Sequence, residues 1–145
     1  MRLQKLTGNL VAAGSTYTAQ AKDYGKTILL DTLTGSVVTL PPATGSGARI
    51  RVVDKLAATS NSHKVQVANA NDVMAGNLVL VSSAGTPLQF ATVAASDTIT
   101  MNRTTTGGAT NGSWMEFDDI APNLWAVKGA LNASGVAATP FSAAV

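Results

Sequence analysis

The chain has 145 residues, enough for one domain that buries roughly two thirds of its unfolded surface. Only 12% of the residues are charged, the formal net charge is +2, and there is no cysteine, which excludes disulfides, thiol catalysis and thiolate metal sites. The Lys and Arg side chains are scattered from Arg2 to Lys128, so the pI near 9.2 reflects few charges and does not point to nucleic acid.

Residues 1–25 read as an extended N-terminal arm or edge segment, interrupted by Gly8, Gly14, Ser15 and Gly25. The start, Met1 to Lys5 followed by Leu10 to Ala13, is too short and too broken for a signal peptide. No run of about 18 apolar residues occurs, so no membrane span is expected.

From Thr27 the pattern becomes strand and turn. Residues 27–31 and 36–40 are β-prone, and Pro41-Pro42 stops the second because neither proline donates an N–H. Residues 48–54 and 64–68 alternate with period two, each with one wet face. Residues 78–81 are apolar on both faces, which predicts a central strand. Strands are also expected over 88–93, 97–102, 114–117 and 124–128, with a turn at Pro122-Asn123 before the last. No segment keeps apolar residues at helical spacing. About nine short strands spaced this regularly predict a sandwich or barrel. Residues 26–129 form the expected core, and 130–145 a tail that closes an edge or packs on a neighbour.

The catalytic inventory is thin. His63 is the single histidine and lies in the polar run Thr59 to Lys64, where a loop position is expected. A serine–histidine pair needs an orienting carboxylate and an oxyanion hole, and no Gly-x-Ser-x-Gly motif is present. Asp118 and Asp119 are adjacent, so a strand sends them to opposite faces. The carboxylates do not follow calcium-loop spacing. Residues Thr44-Gly45-Ser46-Gly47 look like a phosphate loop, but a strand pattern follows where a helix is required, so a turn is expected. Trp114 and Trp125 could stack on a sugar from an exposed face, but both lie inside strand patterns, which favours core packing. The sequons at Asn102, Asn111 and Asn132 are chance matches in a chain rich in Asn, Ser and Thr.

Three stretches and the chain's end carry a family resemblance. They are residues 30–47, with Leu40-Pro41-Pro42 and Gly45-Ser46-Gly47; 67–76, with Asn69-Ala70-Asn71-Asp72; 96–108, with Asp97-Thr98-Ile99-Thr100; and Ala138-Thr139-Pro140-Phe141-Ser142. Together they resemble head decoration, or cement, proteins encoded beside the capsid genes of tailed bacteriophages. The resemblance implies an all-β, jelly-roll-like antiparallel β-sandwich of about eight to nine strands with an extended N-terminal arm. It also implies a homotrimer on the outer surface of a virion, made in the host bacterial cytoplasm and bound to the major capsid protein. Such a protein clamps neighbouring capsid subunits without catalysis, cofactor, metal, nucleic acid or membrane. The candidate capsid contact is the arm: Leu3, Leu6, Leu10 and Val11 are apolar, and Arg2 and Lys5 can pair with an acidic capsid surface. The alternatives are a tail-fibre or receptor-binding module that holds host glycan, and an esterase using His63.

Overall fold

The computed structural model describes residues 8–145. In chain order the strands are β1 (Leu10–Ala12), β2 (Thr16–Thr18), β3 (Thr27–Leu30), β4 (Val37–Thr39), β5 (Arg49–Asp54) and β6 (His63–Gln66). There follow β7 (Val73–Ser82), β8 (Leu88–Ala91), β9 (Thr98–Met101), β10 (Trp114–Ala121), β11 (Leu124–Ala133) and β12 (Phe141–Ser142). They form an all-β sandwich of two sheets, ordered β1-β3-β5-β10-β11-β7-β8 and β12-β9-β6-β4-β2.

Period-two alternation sets the faces. In β5, Ile50, Val52 and Asp54 turn inward while Arg49 and Arg51 turn to solvent. In β10, Met115, Phe117 and Asp119 turn inward. With Ile28, Leu30, Leu40, Leu78, Met101 and Trp125 they make one core between the sheets. Burying each such large apolar side chain is worth about 1.5–3 kcal/mol before entropy is counted. The Trp125 indole N–H is satisfied inside this core by the Pro41 carbonyl at 3.2 Å.

The sandwich is as expected, but its ladders are not uniformly antiparallel. Among the described residues five strand pairings are parallel and five antiparallel. The cause is the winding of the first half. From β1 to β7 each connection carries the chain to the opposite sheet. A strand therefore meets its sheet neighbour after a full circuit, running the same way. This gives β1, β3 and β5 side by side in one sheet and β2, β4 and β6 in the other, all parallel. A jelly roll is built instead from antiparallel neighbours. The β10–β11 hairpin then inserts between β5 and β7, antiparallel to the first and parallel to the second. Gly129 and Gly76 allow the close fit of β11 there. A Cβ at Gly129 would run into the Trp114 carbonyl, and one at Gly76 into the Val127 carbonyl.

The described residues hold twelve strands, more than the eight or nine expected. The extra ones are β1 and β2, which form edges of the two sheets, and β12. Tail residues 130–133 continue β11, and β12 pairs with β9 of the same chain. The strand expected to be central, around Leu78 to Val81, is instead one place from the edge, and Val81 is 47% exposed.

Candidate interaction face

The outer face of the seven-stranded sheet carries an ordered pattern. Strand register aligns Ala12, Leu29, Val53, Trp114, Ala130 and Val79 in one row across six strands. All are apolar and none is fully buried in the single chain. The next row is Thr27, Arg51, Glu116, Lys128 and Asn77, and beyond it come Arg49, Asp118, Ala126 and Ala75.

Four of the five charges in these rows are paired within the sheet. Arg49 Nε lies 2.6 Å from Asp118 Oδ1, and Lys128 Nζ lies 3.5 Å from Glu116 Oε2. Exposed pairs of this kind contribute about 0–1 kcal/mol each, so they shape the surface more than they hold the fold. The Arg51 guanidinium sits over the Trp114 ring, 5.3 Å from its centroid. The result is a partly exposed apolar row bordered by two ion pairs and by Arg51, which lies over its tryptophan. This corrects the expectation that Trp114 packs in the core. Its strand phase puts it with Glu116 and Asp118, on the outer side.

Of the arm residues, Arg2, Leu3, Lys5 and Leu6 lie outside the described residues. Leu10 opens β1, is 65% exposed and borders the same outer face beside Thr27. Val11 is half-buried and packs on the core, so it is not free to meet a partner.

His63 is not in a loop. It opens β6 and is fully buried. The Ser36 amide donates to its Nδ1 at 2.9 Å, so the ring proton is on Nε2, which donates to the Leu56 carbonyl at 2.6 Å. Burial pushes its pKa below the usual value. Asp54 Oδ1 is 3.7 Å from Nε2. Neither Asp54 oxygen has a hydrogen-bond partner, and burial raises that carboxyl to about 7. No serine hydroxyl bonds this imidazole, and both nitrogens are committed to backbone groups. A triad needs the opposite arrangement.

The loop that looks like a phosphate loop does bind an anion, but an internal one. The amides of Thr44, Gly45 and Ser46 and the hydroxyls of Thr44 and Ser46 all donate to the Asp119 carboxylate, at 2.7–3.1 Å. Burial would raise this carboxyl, but the bonds from Ser46, Gly45 and Thr44 outweigh it and hold the pKa down at about 2. Other aspartates do similar work. Asp72 accepts from the Ala43 amide, Asp31 from Gly14, Asp23 from Gln20 and the Tyr17 hydroxyl, and Asp97 from Ala144 and Val145. The acidic residues of this chain are largely fasteners of loops.

Two surface hollows lie among the described residues. One, of about 500 Å³, is lined by Thr34, Val37, Ser60, Asn61, Ser62 and Lys64; the other, of about 400 Å³, includes Val81, Ser82, Thr110 and Asn132. Neither lining contains a carboxylate or the imidazole. Among the described residues no group of three His, Cys, Asp or Glu side chains converges, and no helix is long and apolar enough to cross a membrane. No protein-family model, curated protein or solved structure matches this chain.

Proposed function

We propose that the chain is a non-enzymatic virion structural protein that decorates the outside of a phage capsid and bridges neighbouring capsid subunits. The observation that carries this reading is the partly exposed apolar row from Leu29 through Trp114 to Val79, on a broad sheet most of whose charges are already paired. Such a face suits docking to protein rather than steering of a charged small substrate. The family resemblance supplies the partner, the major capsid protein, and the assembly, a homotrimer at local three-fold positions. Three copies linked together multiply several weak contacts, so no single strong site is needed.

Co-sedimentation with expanded empty shells of the encoding phage tests this. Wild-type protein should pellet with the shells. Ala130→Arg places charge and bulk in the middle of the row without touching the core, and should weaken binding about tenfold or more while the fold melts as before. Wild-type protein that stays in the supernatant would remove the reading. Undiminished binding by Ala130→Arg would move the contact to another face.

The tail-fibre or receptor-binding reading has Trp114 in its favour, a surface aromatic beside polar side chains. Against it, Arg51 already covers the ring that a sugar would stack on. A glycan array that lights up with wild type and not with Trp114→Ser would reverse the preference.

A further inference from the structure

The edge of the seven-stranded sheet at β8 is unpaired among the described residues and uncharged. Residues 73–96, which include β7 and β8, carry no charged side chain. Natural edge strands are commonly blunted by Lys, Pro or bulges, and β8 (Leu-Gln-Phe-Ala) has none of these within it. Leu88 is 42% exposed, and Val93 just beyond is 71% exposed.

The backbone of β8 says what fits this edge. Thr92 N–H donates to the Gly76 carbonyl at 3.0 Å, in register with the β7–β8 pairing of Leu78 with Phe90 and Leu80 with Leu88. Antiparallel pairs alternate between bonded and non-bonded. Leu88, Phe90 and Thr92 therefore direct their amides and carbonyls toward β7. Gln89 and Ala91 direct theirs away from the sheet, and both side chains are exposed.

We infer that β8 pairs with β8 of a second copy of this chain, antiparallel, about a two-fold axis at Phe90. In that register Gln89 faces Ala91 of the other copy and Ala91 faces its Gln89. Both are bonded pairs, so all the outward amides and carbonyls of these two residues are used at once. Phe90 meets its own equivalent at the close, non-bonded position, where aromatic pairs gain most. Leu88 is covered by the added strand. The contact is isologous and closes on itself, which turns an aggregation-prone edge into a finite assembly. It does not rest on the capsid reading: a two-fold contact at β8 is a second interface, distinct from the three-fold one proposed there, and would join copies from different trimers.

The chain's lack of cysteine makes the test direct. Phe90→Cys should oxidise to a covalent two-chain species, since the paired positions lie at disulfide distance. Sedimentation should show that wild-type protein self-associates, and that Gln89→Lys with Ala91→Lys weakens the association about tenfold or more at unchanged melting temperature. In the pair these lysines face each other, while in the single chain they are exposed beside Val79 and Asn77 and meet no other charge. Gln89→Pro, which deletes an outward N–H and no β7 bond, should weaken it as well. A wild type that does not self-associate overturns the inference, as does association indifferent to the lysine pair. So does association lost on deleting residues 1–7 but kept in the lysine variant, which would assign the contact to the N-terminal segment.

Discussion

Asp119→Ala should cost about 3 kcal/mol of stability at pH 7, the largest loss expected from any surface-distant side chain that carries no hydrophobic bulk. The alanine leaves three amides and two hydroxyls of the 44–46 loop without their acceptor. It also frees the loop from the end of β10, where the ladder with β11 shifts register between Asp119 and Ala121. Asp119→Asn should recover only part, because its amide nitrogen would face donors. The pH dependence follows from the depressed pKa. The stabilisation is fully present above the unfolded value near 3.8 and is lost as pH falls through about 2. Denaturant titrations at pH 7 and pH 2 should therefore show the gap between wild type and Asp119→Ala narrowing at the lower pH. A gap of less than about 1 kcal/mol at pH 7 would mean that water replaces the carboxylate without loss.

Asp54→Asn should act in the opposite sense and stabilise the protein at pH 8. The carboxyl is raised from 3.8 to about 7 because its burial outweighs the opposing pull of the nearby Leu56 amide. A raised carboxyl gives stability that is present below pH 4 and lost as pH rises through about 7. Three pH units correspond to about 4 kcal/mol, so a gain of about 3 kcal/mol at pH 8, roughly 6–12 °C in Tm, is expected. His63 runs the other way: its lowered pKa gives stability that is present above the ordinary histidine value and lost below it. The two opposing slopes flatten the wild-type profile in mildly acidic solution. The informative quantity is the difference between Asp54→Asn and wild type, which should grow from near zero at pH 4 to its maximum at pH 8. A variant less stable than wild type at pH 8 would show that the ionised carboxylate has a favourable partner.

These two residues also show what was readable in the sequence. All nine expected strands are present: alternation marked those around Ile50, Val65 and Ile99, and β-prone runs bounded by turn residues marked the rest. The same phase carried more than was taken from it. Asp54 is in step with Ile50 and Val52, Asp119 with Met115 and Phe117, and His63 with Val65. Each is buried, so a polar residue in the apolar phase was the signal for a buried polar group: a fastener at Asp119 and His63, an unpartnered carboxyl at Asp54. Trp114 is in step with Glu116 and Asp118, which places it on the outer face. Strands β1, β2 and β12 were out of reach because two or three residues carry no period. Parallel pairing was out of reach for another reason. It depends on each connection crossing to the other sheet, and alternation is the same whichever way a neighbour runs. The arm residues Arg2, Leu3, Lys5 and Leu6 had only composition to recommend them, whereas the outer row emerges only when strands distant in sequence are aligned.

The central proposal is that this sandwich strengthens a capsid from outside. Calorimetric melting of expanded shells from the encoding phage, with and without saturating protein, tests it most directly. The account predicts a stoichiometric addition and a higher shell melting temperature, with Ala130→Arg giving a reduced shift at equal concentration. A shell melting temperature unchanged at saturating wild-type protein would contradict it.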